Sequence, residues 1–87
     1  MEKSIEFLKT VVSYLVDYPN DIKVESKHDE MGILLTLHLN PSDMGKVIGK
    51  QGATATQIRQ LLRIVGLRES ARVTLKIAEP EGSTRNQ

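Results

Sequence analysis

The chain contains no cysteine and no tryptophan, and aromatic residues make up 3% of its 87 residues. Without thiols there are no disulfides, thiolate zinc sites or cysteine nucleophiles, which agrees with a reducing compartment. So few aromatics argue against a stacking platform of the RRM type. Long hydrophobic runs are missing too. The longest uncharged run near the N-terminus is TVVSYLV, and Glu2, Lys3, Glu6 and Lys9 punctuate the apolar residues before it. Neither a signal-peptide core nor a membrane span has that form, so a cytoplasmic protein without membrane attachment is expected. Net charge is only +1, and the totals alone therefore do not announce a polyanion binder.

What is present is the composition of one small folded domain. Hydrophobic residues at 39% and charged residues at 26% are ordinary for a soluble globular chain. At 87 residues it can bury one modest core but not two. Charge is unevenly spread. Between residues 46 and 76, Lys46, Lys50, Arg59, Arg63, Arg68, Arg72 and Lys76 stand against a single acid, Glu69, while residues 1–30 are net acidic.

Periodicity supplies the elements. Ile5, Leu8, Val12 and Leu15, widened by Val11 and Val16, predict a helix from about residue 2 to 17, ended by Pro19-Asn20. DIKVESKHD sets Ile22, Val24 and Ser26 against Lys23, Glu25 and Lys27, a half-buried strand. EMG at 30–32 reads as a turn, and GILLTLHLN puts Ile33, Leu35, Leu37 and Leu39 on one face of a central strand. Asn40, Pro41 and Asp43 in NPSD start a short helix carrying Met44, Val47 and Ile48. After Gly52 a further helix shows Ile58, Leu61, Leu62 and Val65, with Gly66 as its stop. ARVTLKI closes with Val73, Leu75 and Ile77 in alternation. The order α-β-β-α-α-β predicts an α+β domain over residues 1–79: a three-stranded mixed sheet with three helices on one face. Residues 80–87 read as a flexible tail.

The stretch GKVIGKQGATATQIRQLLR, residues 45–63, asks for explanation, because glycine lowers helix stability by about 1 kcal/mol relative to alanine. GKQG, residues 49–52, falls between two helices and ends at a helix start, where free N–H groups and the dipole favour an anion. Glycines at 49 and 52 remove the Cβ atoms that would obstruct a polyanion backbone, while Lys50 and Gln51 project outward. A tight turn between packed helices is the plainer explanation of the same glycines. Gly45, inside the short helix, is explained by close packing at least as well as by ligand approach.

The run VIGKQGATATQI resembles the KH-domain signature, in which a GXXG loop clamps about four nucleotides of backbone, and the element order is that of the type II form. A domain of this size carrying PSDMGKVIGKQG is similar to the KhpA (YlqC) family of small bacterial KH-domain RNA-binding proteins over about residues 2–79. The resemblance implies single-stranded RNA as ligand, and a homodimer or a heterodimer with a KhpB (Jag/EloR)-type KH protein. It also implies an RNA-chaperone or post-transcriptional role affecting cell elongation, cell shape and envelope synthesis. Carried across, it makes Gly49, Lys50, Gln51 and Gly52 the backbone contacts. Ile48, Ala53 and Ile58 become the apolar floor or its support, and Lys46 and Arg59 become phosphate contacts at the loop's ends. Arg72 and Lys76 would border the groove if they face it. Residues after the loop, including Arg63, are also where a second copy would pack, and pairing would raise the effective concentration for a longer RNA.

Other chemistry fits poorly. A P-loop needs four residues between its glycines and a hydroxyl after its lysine, whereas Gly45 and Gly49 enclose three and Gln51 follows Lys50. His28 and His38 have no carboxylate pair at ligand spacing and read as surface residues. Met44 reads as core, and Ser42, Thr54 and Thr56 as caps or loop contacts. No enzyme activity, metal or cofactor is expected. The competing function is a protein-interaction adaptor that uses the fold for pairing and has little RNA affinity of its own.

Overall fold

The computed structural model describes residues 2–78, so the expected tail at 80–87 lies outside the described residues. The elements are α1 (Glu2–Ser13), β1 (Lys23–Asp29), β2 (Gly32–His38), α2 (Met44–Ile48), α3 (Ala53–Arg68) and β3 (Val73–Ile77), with short 3₁₀ turns at Pro19–Asp21, Pro41–Asp43 and Lys50–Gly52. The sheet order is β1-β2-β3, with β2 antiparallel to β1 and parallel to β3. This is the α+β, type II KH arrangement that the sequence predicts.

Alternation decides which sheet face is covered. Ile33, Leu35 and Leu37 of β2 and Val73 and Leu75 of β3 are buried, and they meet Leu8 and Val12 of α1, Val47 of α2, and Ile58 and Leu62 of α3. Each such side chain contributes about 1.5–3 kcal/mol when removed from water, and the helices are thereby fixed to one face. The other face is polar, with His38 Nε2 3.0 Å from Glu25 Oε1. His28 is exposed on β1, whose far half extends beyond the helices.

Three expectations are corrected. Helix α1 stops at Ser13 rather than at about residue 17, and the amides of Asp17 and Tyr18 donate instead to the Asp43 carboxylate at 3.0 Å each. Leu15 and Val16 still pack on the core from the irregular segment that follows. Gly66 is not a helix stop: α3 continues to Arg68, and the chain turns at Ser70, φ 60. A Cβ on Gly66 would lie 2.6 Å from Val73 Cγ2, so this glycine lets α3 approach β3. Leu61, placed by periodicity in the core stripe, is 47% exposed.

Candidate nucleic-acid interface

The approach to the glycine loop is built by short polar side chains. Asn40 caps the turn before α2, its Oδ1 accepting from the Ser42 amide at 2.9 Å and the Ser42 hydroxyl at 2.7 Å. Asp43 is fully buried and binds backwards across the molecule to the Asp17 and Tyr18 amides. Lys46, one turn later, places Nζ 3.2 Å from Asp17 and 3.5 Å from Asp43. Burial alone would raise the Asp43 pKa, but the two amides and the Lys46 ammonium outweigh it and hold the carboxyl below its ordinary range. The Asp17 carboxylate, joined by Asp43, holds Lys46 above its ordinary value.

Helix α2 ends at Gly49, whose amide donates to the Gly45 carbonyl at 2.9 Å and whose φ is 77. The chain then turns through Lys50 and Gln51, with Gln51 itself left-handed at φ 57, and reaches Gly52 at φ 79. The two outer glycines serve different ends. A Cβ on Gly49 would collide with the Thr54 hydroxyl, whereas one on Gly52 would meet nothing within 4 Å. Gly49 therefore sets the turn against α3, and Gly52 leaves open space at the start of that helix. Among the described residues no side chain caps the N-terminus of α3, so its positive end is left to its backbone N–H groups. Lys50 and Gln51 are exposed beside it.

Beyond this corner α3 packs beside the edge strand β3. Ile33 donates its amide to the Arg72 carbonyl at 2.8 Å, and Ala78 donates to the Leu37 carbonyl at 2.9 Å. With the parallel register this turns the backbone groups of Arg72, Thr74, Lys76 and Ala78 towards β2 and those of Val73, Leu75 and Ile77 towards the open edge. Arg59 reaches over that edge, its Nε 3.4 Å from the Leu75 carbonyl. Beyond it, Arg63, Leu67, Ala71, Arg72, Val73 and Thr74 line a cavity of about 410 Å³.

The structure thus brings Gly49, Lys50, Gln51, Gly52 and Arg59 to one margin, with Arg72 at its far end. Ala53 is exposed at the start of α3 and Ile48 is half-buried beneath the loop, while Ile58 sits in the core and supports α3 from inside. Lys46 is near but already paired with two carboxylates. Lys76 is not brought in: it projects from β3 on the helix-free face. Met44 is buried, as its reading as core requires.

Sequence reasoning missed Glu69. Its carboxylate accepts the Lys3 amide at 3.2 Å, the Ser4 amide at 3.2 Å and the Ser4 hydroxyl at 2.8 Å, capping α1 from the end of α3. The N-terminal ammonium and the Ser4 hydroxyl, aided by the Lys3 amide, lower its pKa to about 2. Also missed was the outer side of α3, where Leu61, Ile64 and Leu67 are 47%, 56% and 66% exposed at intervals of three residues. Among the described residues no group of histidines and carboxylates is placed to hold a metal ion, and no helix is long and apolar enough to cross a membrane.

Residues 5–77 match the sequence model of the family described as KhpA/KhpB, KH domain. The chain is 43% identical over 72 residues to an RNA-binding protein KhpA of Caldanaerobacter subterraneus subsp. tengcongensis, covering 83% of this chain and 96% of the relative. The RNA-binding protein KhpA of Bacillus subtilis is 43% identical over 67 residues, covering 77% and 83% respectively. That of Halalkalibacterium halodurans is 38% identical over 76 residues, covering 83% and 100%.

Proposed function

Because this chain belongs to the KhpA/KhpB KH-domain family, we propose that it binds single-stranded RNA, with Gly49, Lys50, Gln51 and Gly52 gripping the sugar-phosphate backbone. The observation that carries the reading is Gly52: left-handed, with open space where a Cβ would stand, and followed by an uncapped helix of 16 residues. A phosphate there meets backbone N–H groups and the positive end of α3 without a side chain in the way. Lys50 adds charge and Gln51 a neutral hydrogen-bond group. Arg59 contacts the strand as it leaves the loop along the β3 edge. Binding is tolerant of sequence to the extent that it is made through the backbone. A protein of this kind acts as an RNA chaperone or post-transcriptional regulator rather than an enzyme, and any effect on cell elongation or envelope synthesis passes through the transcripts it holds.

The test is the double substitution Lys50→Asp and Gln51→Asp, which faces phosphate with two carboxylates at exposed positions. Single-stranded RNA affinity should fall at least tenfold while the thermal melt is kept; undiminished binding at moderate salt would remove the loop from the site. With about three phosphates contacted, log K should fall against log salt with a slope of about −2.

The exposed row Leu61, Ile64 and Leu67 supports a second reading, that α3 is also a pairing surface for a second copy or for a KhpB-type KH domain. Ile64→Glu should yield monomers in sedimentation at concentrations where the parent pairs. RNA recovered by crosslinking in cells separates the readings: a protein partner with no enriched RNA would favour an adaptor.

A further inference from the structure

We propose that the open edge of β1 pairs antiparallel with the same edge of a second copy of this chain, Ser26 opposite Ser26, joining two sheets into one continuous sheet. The inference stands whether or not the glycine loop holds RNA, and it uses a surface other than the exposed row on α3.

The bare edge is the first argument. Strand β1 pairs with β2 over seven residues without a break, and KVESKHD contains no proline. Edge strands are ordinarily blunted by prolines, bulges, shortness or a covering element. The other edge strand, β3, has five residues, and Arg59 reaches its Leu75 carbonyl. On β2 the Ile33 amide and the Leu37 carbonyl bond to β3, so Leu34, Thr36 and His38 turn their backbone to β1, where they meet Lys27, Glu25 and Lys23. That leaves the N–H and C=O groups of Val24, Ser26 and His28 facing outward. Among the described residues nothing bonds to them, and no helix shields Ser26 or His28, both exposed.

The phase of the ladder is the second. A two-fold axis at Ser26, perpendicular to the sheet, sets Ser26 against Ser26 and Val24 against His28. These are the residues with outward backbone groups, and each such pair exchanges two hydrogen bonds, about six in all. The helices of both copies then lie on one face of the joined sheet.

Charge is the third, and it fixes the register. On the helix-free face the same axis sets Lys23 against Asp29 and Glu25 against Lys27, so KVESKHD is its own complement when read backwards. A slip by two residues is the smallest that keeps faces and outward groups matched. In one direction it sets Glu25 against Glu25 and Lys23 against Lys27; in the other, Lys27 against Lys27 and Glu25 against Asp29. Like charges directly opposite are destabilising, so the residues that favour the central register exclude its neighbours. The charges are also available. Among the described residues Lys23 and Lys27 have no carboxylate at ion-pair distance. Glu25 uses Oε1 for His38 and Asp29 uses Oδ1 for the Met31 amide, leaving the second oxygen of each.

The seam is small, seven residues a side against about 20–30 in a standard interface. It therefore fills at about millimolar concentration, or where copies are held side by side.

The absence of cysteine from the chain makes the test clean. Paired Ser26 residues would stand about 5.5 Å apart between Cα atoms, within the range a disulfide spans. Under mild oxidation, Ser26→Cys should form linked dimers about fivefold or more faster than Thr10→Cys, an exposed control on α1. Adding Glu25→Lys should bring trapping down to the control rate, and adding Glu25→Lys with Lys27→Glu should restore it, since the swapped charges again meet their opposites. In the parent, the amides of Val24, Ser26 and His28 should gain protection from hydrogen exchange as protein concentration rises, while those of Glu25 and Lys27 are protected throughout. Trapping of Ser26→Cys at the control rate, or equal trapping in the single and double charge variants, overturns the proposal. Adding Ile64→Glu should change none of this; trapping that disappears with it would place the contact on α3 and overturn the seam equally.

Discussion

Helix α1 and the glycine loop are held in opposite ways. Carboxylates hold the start of α1 and the segment that follows it, Glu69 taking the amides of Lys3 and Ser4 and Asp43 those of Asp17 and Tyr18. The loop is shaped by left-handed dihedrals at Gly49, Gln51 and Gly52 and by backbone hydrogen bonds, with no side chain among the described residues capping the helix that follows. The difference explains how a chain of net charge +1 presents a basic site. Asp43 and Glu69 flank the α2–α3 segment in sequence, but Glu69 is turned to amides of α1 and Asp43 to those of the segment after it, and the negative charge nearest the loop is spent on the frame. What faces outward there is Lys50, Arg59, Arg63 and open backbone.

The most direct way to break this arrangement is Asp43→Ala. It leaves two amides without their acceptor and Lys46 with one carboxylate fewer, and a buried polar group left unpaired is among the costlier defects. The melting temperature should drop by about 10 °C or more in a domain of this size, followed by circular dichroism. Asp43→Asn, which keeps an acceptor oxygen, should fall between parent and Ala variant.

The loop comes next, and its two outer glycines separate shape from access. Gly49→Ala meets the Thr54 hydroxyl at a left-handed φ and should destabilise by about 1–3 kcal/mol in urea unfolding. Gly52→Ala bears only the dihedral penalty, about 1 kcal/mol, because its Cβ enters open space. The methyl then stands where a phosphate is proposed to sit, so RNA affinity should fall more for Gly52→Ala than stability does. If both variants lose binding only in proportion to lost stability, the two glycines have the same role.

Glu69 sharpens the comparison through pH. Its folded pKa of about 2 lies below the ordinary 4.5, so its stabilising contribution is complete above about pH 4.5 and is lost as pH falls towards 2. Asp43, also lowered, acts in the same direction. The melting temperature should hold from neutral pH down to about 5 and then decline. Glu69→Gln should start lower at pH 7 and decline less steeply; a parallel curve would mean that other carboxylates set the acid limit.

These effects also mark what the sequence could and could not disclose. Alternation in GILLTLH and VTLKI is local, and it placed Ile33, Leu35, Leu37, Val73 and Leu75 on the covered face as observed. The glycine loop was equally legible, because its spacing and its place between two helical patterns lie within a few residues. Asp43 and Glu69 were not, since their partners are 25 and 65 or more residues away and a carboxylate carries no mark of which amides it will meet. The same reason hides the Lys46 pairing and the role of Gly66, which depends on Val73 across the α3–β3 packing. Lys76 was a candidate for the groove only on condition that it faces it, and the alternation that buries Val73 and Leu75 turns it to the helix-free face.

Gly45 is the smallest and most informative case. It lies in α2 and was explained from sequence as well by close packing as by ligand approach, yet a Cβ there would meet nothing within 4 Å. Packing therefore does not require this glycine. Gly45→Ala should raise stability by up to about 1 kcal/mol, the difference in helix propensity, reduced by the shortness of a five-residue helix. The margin marked by Arg59, Arg63 and Arg72 follows α3, not α2, so RNA affinity should stay within about twofold, less than 0.5 kcal/mol. A clear fall in affinity with the expected gain in stability would carry the strand across α2 as well, and would make Gly45 a third point of backbone approach beside Gly49 and Gly52.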